Sequence, residues 1–306
     1  MHQITNTSIV VSPICLGTMT FGRPVGEKEA IRLVHWALDH GINFFDTADM
    51  YEGYDRTAGS AGGVAETILG KALEGRRERA IITTKVGNAV GDDQYAGSGL
   101  GRTHILHQVE ASLRRLQTDT IDFYLLHRPD SATPLSESIA TMAELITTGK
   151  IRYWGISNFS AAKIRIINAI CQAQRWPRPV ISQPAYSWLK RDVEAGHLSL
   201  CQELGIAVTP YQPLQGGLLT GKYRAGQKPA ADSRLLASPN WLQTPDAEMY
   251  TRLQQFEAEA QTADLMPPQY AVHWLLGQTA VKSVVVGVKS IEQLQEFEVF
   301  LRRKIL

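Results

Sequence analysis

Four residues of the chain carry the functional groups that proton transfer to a carbonyl oxygen needs. They are the carboxyl of Asp46, the phenol of Tyr51, the amine of Lys85 and the imidazole of His127. A phenol with an ordinary pKa of about 10 donates a proton poorly at neutral pH, and a nearby ammonium lowers that pKa by favouring the phenolate. We therefore expect Lys85 to activate Tyr51, Asp46 to hold Lys85 charged, and a neutral His127 to orient a substrate carbonyl. The set suits hydride transfer to a carbonyl, with Tyr51 as proton donor.

Each of these residues has an ordinary structural explanation when it is considered alone. A lysine at a strand end is usually solvated, a lone histidine is usually a satisfied structural group, and a loop tyrosine usually packs on the surface. Considered together, the four residues indicate a functional site, because Lys85 and His127 end apolar runs that otherwise exclude charge. We therefore expect the fold to bring the four side chains to one place.

The elements that must position these residues alternate between short apolar runs and longer amphipathic segments. Eight runs rich in β-branched residues predict buried parallel strands at 14–16, 42–45, 80–84, 121–126, 151–156, 180–182, 206–209 and 284–286. Seven segments predict helices at 27–40, 63–74, 102–117, 134–148, 160–174, 192–204 and 290–302. Thr103 and Ser160 are predicted to cap helix starts, and Gly41, Gly149 and Gly205 to follow helix ends.

This alternation predicts an α/β fold, a (β/α)8 or TIM barrel formed by one domain over residues 1–306. A doubly wound parallel sheet stays open as the alternative. Residues 2–11 predict a short N-terminal hairpin that closes the bottom of the barrel. Long loops at the carboxyl ends of the strands are predicted over 86–101 and 214–245. Because barrel proteins carry their functional residues at those strand ends, we expect the site there.

Composition and charge exclude several classes of protein. The chain is 44% hydrophobic and 20% charged, which is typical of a globular protein. Because 31 basic residues balance 30 acidic ones without a long basic block, nucleic acid is not an expected partner. The sequence contains no signal peptide and no apolar run of the roughly 18 residues that span a membrane, so we expect a cytoplasmic protein. Three widely spaced cysteines predict buried free thiols and no metal site.

Four stretches of the chain resemble the signature motifs of the aldo-keto reductases. They are GINFFDTADMY at 41–51, ITTK at 82–85, DFYLLH at 122–127 and GISNF at 155–159, and the resemblance extends over about residues 8–297. It implies a (β/α)8 barrel that binds NADPH (NADP+) in an extended form without a Rossmann domain. It also implies that Tyr51 is the general acid and base, with Asp46, Lys85 and His127 in the roles given above.

The resemblance also implies which residues bind the nicotinamide and pyrophosphate parts of the cofactor. Ser157, Asn158 and Gln183 match residues that hydrogen-bond the nicotinamide carboxamide. Tyr211 matches the aromatic residue that stacks on the nicotinamide ring. The stretch 211–222 resembles the pyrophosphate loop, whose backbone amides face anionic oxygens, with expected members Gln212, Leu214, Gly216 and Lys222. Gln212 replaces the serine that the family commonly has, so that contact is expected to differ.

The end of the eighth strand resembles the segment that holds the adenosine 2′-phosphate. Gly287 and Lys289 belong to this segment, and Ser290 caps the helix that follows. A lysine charge, a hydroxyl and a helix N-terminus together favour a dianionic phosphate, so we expect NADPH rather than NADH. Gln293 matches an adenine-side contact. Phe297 stands where the family usually has asparagine, so that adenine contact is expected to be lost or replaced.

Side chains on the strand-end loops are expected to line the substrate pocket: Phe21, Met50, Tyr54, Tyr95, Arg128 and Trp188. Their aromatic and polar character suits sugar-like or aromatic aldehydes, and Arg128 would also suit an anionic substrate. The expected function is NADPH-dependent reduction of an aldehyde or ketone. The alternative is a cofactor-sensing regulatory subunit similar to the β subunits of potassium channels, against which the lack of an N-terminal extension before the barrel argues. The oligomeric state stays open.

Overall fold

Eight parallel strands form the central sheet of the protein. The structure is a computed structural model, and it describes residues 1–54, 56–57, 59–91, 97–227, 234–237 and 244–302. A hairpin of β1 (His2–Gln3) and β2 (Val10–Val11) precedes the sheet. The sheet strands are β3 (Ile14–Gly17), β4 (Phe44–Asp46), β5 (Ile81–Val86), β6 (Ile121–Leu126), β7 (Ile151–Ser157), β8 (Ile181–Gln183), β9 (Ala207–Val208) and β10 (Val284–Gly287). From β3 to β9 each strand pairs with the next along the chain, and β10 pairs with β3.

The sheet closes on itself between β9 and the segment that leads into β10. The amide of Val208 donates to the carbonyl of Ala280 at 2.9 Å, and the amide of Lys282 donates to the carbonyl of Val208 at 3.0 Å. The amide of Val285 donates to the carbonyl of Pro210 at 2.9 Å. The predicted (β/α)8 barrel is therefore confirmed. The doubly wound alternative is wrong, because such a sheet would keep two open edges.

The helices connect the strands and cover the outside of the barrel. In the described part of the chain they are α1 (Glu27–Asp39), α2 (Val64–Ala72), α3 (Arg102–Leu116), α4 (Leu135–Thr147), α5 (Ala161–Gln174), α6 (His197–Leu204), α7 (Arg234–Ala237), α8 (Ala247–Thr262), α9 (Pro267–Leu276), α10 (Ile291–Gln295) and α11 (Val299–Arg302). In α1, Ala30, Leu33, Val34 and Ala37 are buried, the spacing that places one face of a helix on a sheet.

Several helix boundaries differ from the sequence predictions. Helix α3 begins at Arg102 with Gly101 as its N-cap, so Thr103 lies inside the helix and the prediction that it caps the start is wrong. Ser160 does cap α5, because its side chain accepts a hydrogen bond from the amide of Lys163. The predicted helix 290–302 is divided into α10 and α11.

The sequence patterns do not predict α8 and α9, which lie between β9 and β10. Helix α8 buries only Leu253, Phe256 and Ala260 among its sixteen residues, so its apolar stripe is narrow. A narrow apolar stripe gives a weak helical periodicity, so the sequence pattern of this segment does not indicate a helix. These two helices carry part of a separate hydrophobic cluster that includes Trp188, Leu219 and Phe256.

The hairpin closes the bottom of the barrel, as predicted. Ile4, Ile9 and Val11 of the hairpin are buried in one cluster with Phe44 and Phe123 of the strands. The rings of Phe44 and Phe123 meet edge to face, with centroids 6.0 Å apart. The hairpin therefore covers the amino ends of the strands with apolar side chains.

The described part of the chain also bears on membranes, metals and disulfides. Its helices are too short or too polar to cross a bilayer. Its histidine, cysteine and acidic side chains form no group of three that could hold a metal ion. Cys15, Cys171 and Cys201 are buried and unpaired, which confirms the prediction of buried free thiols.

Gly155 tests how closely the barrel interior is packed. A Cβ at this position of β7 would lie 2.6 Å from the carbonyl oxygen of Ile181 and 3.2 Å from Cδ1 of Leu125. We expect Gly155→Ala to lower the free energy of unfolding by about 1–3 kcal/mol, because the neighbouring strand must move. The measurement is urea denaturation. Gly287→Ala is the control, since a Cβ there meets no atom within 4 Å. Equal losses in the two variants would contradict the close packing.

Candidate active site

The amine of Lys85 is the centre of the candidate site. Lys85 lies within β5, which extends beyond its predicted end, and its side chain is fully buried. Nζ donates to Oδ1 of Asp46 at 2.7 Å, to the carbonyl of Thr47 at 2.8 Å and to the hydroxyl of Tyr51 at 3.2 Å. Three acceptors match the three protons of an ammonium, which is what a buried lysine needs to keep its charge.

The charge on Lys85 is set by burial and by its two ionisable neighbours. Burial disfavours the ammonium, but the Asp46 carboxylate and the Tyr51 phenol outweigh burial, and the pKa of Lys85 is raised. Lys85 is therefore positively charged at neutral pH.

Burial and a neighbouring charge also set the pKa of Tyr51, but for this phenol burial has the larger effect. Burial raises the pKa of Tyr51, and the Lys85 ammonium lowers it by a smaller amount, so the pKa stays above its ordinary value. The expected influence of Lys85 thus has the right direction. The expectation that the pKa of Tyr51 falls is wrong, because loss of hydration outweighs the ammonium. Tyr51 is a protonated phenol at neutral pH.

Asp46 connects the ammonium to the opposite side of the barrel. It ends β4, and its buried carboxylate uses both oxygens. Oδ1 accepts from Lys85, while Oδ2 accepts from Nε2 of Gln183 at 2.8 Å. Gln183 ends β8, so this hydrogen bond crosses the barrel interior. The carboxylate is fixed from two directions and can hold Lys85 in one orientation.

His127 follows β6 and faces the phenol. Its ring meets the ring of Tyr51 edge to face, with centroids 5.9 Å apart and an interplanar angle of 79°. Its Nδ1 atom is buried and has no hydrogen-bond partner in the described structure. Burial, followed by the positive charges of Lys85, Arg128 and Arg56, holds the pKa of His127 well below its ordinary value. The imidazole is therefore neutral, and the fold brings all four predicted residues together.

The residues expected to bind the nicotinamide form a continuous hydrogen-bonded chain. Ser157 Oγ donates to the carbonyl of Gln183 at 2.8 Å. Nδ2 of Asn158 donates to Ser157 Oγ and to the carbonyl of His127, each at 3.0 Å. The hydroxyl of Tyr211 donates to Oδ1 of Asn158 at 2.9 Å. Asn158 is exposed and has a left-handed φ of 64°, so its amide lies at the surface of the barrel mouth.

The loop after β9 contains several residues with a left-handed backbone conformation. Gly216 and Gly217 have φ values of 67° and 97°, and Gln212 has a φ of 61°. The carbonyl of Leu214 accepts from the amide of Gly217 at 2.9 Å, which tightens the loop. A Cβ at Gly217 would lie 2.6 Å from Nζ of Lys222, so the ammonium lies directly over the backbone of the glycine. Glycine is favoured at position 217 by its left-handed φ.

The loop after β10 is tied to its own helix. Gly287 ends the strand and is exposed. The amide of Lys289 donates to Oε1 of Gln293 at 2.8 Å, and the hydroxyl of Ser290 accepts from the amide of Gln293 at 3.5 Å. The helix that starts here has only five residues, so its dipole is smaller than that of the predicted helix 290–302. Phe297 is 2% exposed and packs in the main hydrophobic core.

The residues expected to line the substrate pocket lie in different surroundings. Met50 and Tyr54 are partly buried, and Arg128 is exposed directly after His127. Phe21 is a correction: it is fully buried in the main hydrophobic core, because the core rather than the mouth accommodates its ring. Tyr95 lies outside the described residues.

Trp188 packs mainly against α8. Its indole Nε1 donates to Oε2 of Glu259 at 2.9 Å, and its ring meets Phe256 edge to face with centroids 5.4 Å apart. Only 7% of the side chain is exposed. The indole is therefore held by the helices inserted between β9 and β10, which the sequence patterns do not predict.

A second set of polar side chains lies behind the Tyr51 turn and was not expected from the sequence. We call it the Glu66 cluster; it consists of Asp49, Glu66, Thr84 and Arg115. Glu66 is fully buried on the apolar face of α2, between Ala65 and Ile68. A charged residue at a core position of a helical pattern is the sequence signal that could have identified this cluster.

Comparisons with known proteins show what the chain is similar to. The profile of the Aldo/keto reductase family matches residues 13–300. The uncharacterized oxidoreductase YrpG of Bacillus subtilis is 34% identical, over 98% of this chain and 91% of its own length. A glycerol dehydrogenase from Gluconobacter oxydans superposes with a TM-score of 0.83 and 28% identity, covering all of this chain and 91% of that structure.

Two further relatives are described as potassium channel subunits. A putative voltage-gated potassium channel subunit beta of Schizosaccharomyces pombe is 33% identical, over 92% of this chain and 81% of its own length. A probable subunit of the same kind from Arabidopsis thaliana is also 33% identical, over 96% of this chain and 88% of its own length. The oxidoreductase YrpG and the two channel subunits are therefore similar to this chain at nearly the same sequence identity.

The neutral state of His127 predicts how stability depends on pH. The folded protein holds the pKa of this imidazole below its value in the unfolded chain, so the unfolded state binds more protons as the pH falls. Stability is then lost as the pH falls through the unfolded pKa. Between about pH 7.5 and about pH 5.5 we expect the parent to lose about 1 kcal/mol more than His127→Gln, measured by urea denaturation. Parallel pH profiles would show that His127 is not held neutral by the fold.

Proposed function

Because the chain belongs to the aldo/keto reductase family, we propose that it is an NADPH-dependent oxidoreductase that reduces the carbonyl of an aldehyde or ketone. The observation that carries the proposal is the contact of the Lys85 ammonium with Tyr51 and Asp46. A protonated phenol beside a fixed positive charge can give up its proton at the moment when a carbonyl oxygen becomes an alkoxide.

The proposed roles of the four residues follow from their charge states. Tyr51 stays protonated until the carbonyl oxygen takes its proton, and Lys85 stabilises the phenolate that remains. Asp46 keeps Lys85 charged and oriented. His127 is neutral, so one ring nitrogen can donate a hydrogen bond to the carbonyl oxygen and fix its direction. When bound, NADPH supplies the hydride for the carbonyl carbon.

The residues around the mouth fit such a cofactor. Asn158 and Tyr211 offer amide and phenol groups at an accessible edge beside His127. The left-handed glycines at 216 and 217 and the ammonium of Lys222 suit a pyrophosphate. Lys289 adds a positive charge for a 2′-phosphate, which supports NADPH over NADH.

The substrate is proposed to be a small hydroxylated or aromatic aldehyde or ketone. The likeness to a glycerol dehydrogenase supports a hydroxylated substrate. Arg128 is exposed beside His127, and a substrate with a carboxylate or phosphate group could pair with its guanidinium.

A second candidate function is a regulatory subunit that binds the cofactor and serves a partner protein. The two relatives described as potassium channel subunits favour it. Turnover of carbonyl compounds by the purified chain would favour the enzyme. Two results together would favour the subunit. The chain would bind NADPH tightly without turning over any aldehyde or ketone in a broad panel, and it would form a stable complex with a partner protein in size-exclusion chromatography.

Tyr51→Phe tests the proposed proton donor. We expect kcat for aldehyde reduction to fall roughly a hundredfold to ten-thousandfold, because the variant removes the proton that the carbonyl oxygen takes, together with the hydroxyl that Lys85 contacts. NADPH consumption gives the rate, and cofactor fluorescence should show unchanged NADPH binding. Tyr153→Phe is the matched control, since its hydroxyl lies at the hairpin, where it accepts a long hydrogen bond of 3.4 Å from the amide of Ser8. Equal rates in the parent and Tyr51→Phe would remove Tyr51 from this role.

Lys289→Met tests the proposed preference for NADPH. We expect Kd for NADPH to rise about tenfold or more, because a charge-assisted hydrogen bond to phosphate is worth about 1.5–3 kcal/mol. Kd for NADH should stay the same, because NADH has no 2′-phosphate. Lys282→Met is the control, since its ammonium donates to the carbonyl of Thr279 before β10 begins. Equal losses of affinity for both cofactors would refute the assignment.

A further inference from the structure

The turn that carries Tyr51 is held from behind by the first turn of α2. The amide of Ala65 donates to the carbonyl of Tyr51 at 2.9 Å, and the amide of Tyr51 donates to the carbonyl of Ala48 at 3.0 Å. The backbone of Tyr51 therefore cannot move far unless α2 moves or the turn opens. What fixes α2 also fixes the backbone position from which the phenol extends.

Close packing makes this connection stiff. A Cβ at Gly62 would lie 2.4 Å from the carbonyl oxygen of Asp49, and a Cβ at Gly63 would lie 2.3 Å from Cδ of Arg115. Both glycines have left-handed φ values, of 70° and 75°. The start of α2 thus touches the Tyr51 turn on one side and the Arg115 side chain of α3 on the other.

Glu66 fastens α2 to the strand that carries Lys85. Its Oε1 atom accepts from the hydroxyl of Thr84 at 2.5 Å. Its Oε2 atom accepts from Nε of Arg115 at 2.7 Å and lies 2.6 Å from Nη2 of the same guanidinium. Successive side chains of a strand point to opposite faces, so Thr84 meets the helix layer while Lys85 points into the barrel. The anchor of α2, Thr84, is therefore the residue directly before Lys85 in β5.

The charges of the Glu66 cluster balance only if one carboxyl group is neutral. Asp49 is fully buried, and both of its side-chain oxygens lack a hydrogen-bond partner in the described structure. Burial, followed by the Glu66 carboxylate, raises the pKa of Asp49 well above its ordinary value. The cluster then holds one anion, Glu66, and one cation, Arg115, which is the arrangement that a low-dielectric interior tolerates.

We propose that Glu66 is a positioning residue for carbonyl reduction: by joining α2 to Thr84 and Arg115 it sets the position of the Tyr51 hydroxyl relative to the Lys85 ammonium. The Tyr51 turn is thus connected to β5 in two ways. Inside the barrel, Tyr51 contacts Lys85 directly. Outside the barrel wall, the connection runs from Tyr51 through Ala65 and Glu66 to Thr84. The proposal rests on the proposed function, because it matters for catalysis only if Tyr51 is the proton donor.

Glu66→Gln and Thr84→Val test this role. Glu66→Gln keeps the shape but loses the ion pair with Arg115, and Thr84→Val removes only the hydroxyl. We expect kcat to fall about tenfold or more in Glu66→Gln and less in Thr84→Val, because small misplacements of reacting groups are costly. We also expect the alkaline limb of the kcat profile to move to higher pH in both, since an ammonium farther from the phenol lowers its pKa less.

Asp122→Asn is the matched control for a buried ion pair. Asp122 is 2% exposed and pairs with Arg77 at 2.8 Å and with Arg152 at 3.0 Å, near the amino end of β6. Its loss should destabilise the fold and leave the position of the alkaline limb unchanged. If Glu66→Gln lowers kcat equally at every pH, as Asp122→Asn would through a smaller folded fraction, Glu66 is only structural and the proposal fails.

Crystal structures of the parent and Thr84→Val provide a test that does not require turnover. We expect the distance between Tyr51 Oη and Lys85 Nζ to be longer in the variant than the 3.2 Å found here. An unchanged distance would overturn the proposal even if the parent reduces aldehydes. An inactive parent with a longer distance in the variant would instead refute the proposed function and leave the positioning intact.

Discussion

A single positive charge buried inside the barrel is the constraint on which the site depends. An ammonium without solvent contact is costly unless each of its protons has an acceptor. Lys85 finds one carboxylate, one backbone carbonyl and one phenol within 3.2 Å. The Asp46 carboxylate, the Thr47 carbonyl and the Tyr51 hydroxyl all face this charge, and the proposed role of Tyr51 as an acid rests on it. The proposed chemistry therefore follows from the hydrogen bonds that hold the buried lysine.

The closed barrel is what makes this accommodation possible. Asp46 and Lys85 lie on neighbouring strands, and His127 follows the next strand, so parallel pairing alone brings these three to one edge. Gln183 is different, because β8 lies on the far side of the sheet in chain order, 137 residues from Asp46. Its hydrogen bond to Asp46 exists only because the sheet curls and the interior is narrow. The hairpin below and the helices outside bury the side chains of that interior.

Much of this arrangement could be predicted from residue types and their order. Apolar runs locate the strands because a parallel strand is buried on both faces, and the polar residue that ends each run marks the mouth. Packing could not be predicted in the same way. Phe21 is in the core, and Thr103 is inside a helix, because tertiary contacts override local preference. The pKa of Tyr51 depends on the balance between burial and one ammonium, which the sequence does not contain. Glu66 was missed because a lone glutamate in a helical pattern usually faces water.

The most direct test of the central claim, that a buried ammonium organises Tyr51 as proton donor beside a bound nicotinamide, is a crystal structure with NADP+ and a carbonyl compound. We expect Nζ of Lys85 to keep its contacts with Asp46, Thr47 and Tyr51, and the phenol oxygen to lie within hydrogen-bond distance of the carbonyl oxygen. A phenol turned away from Lys85, or a nicotinamide bound elsewhere than beside Tyr51, would contradict it.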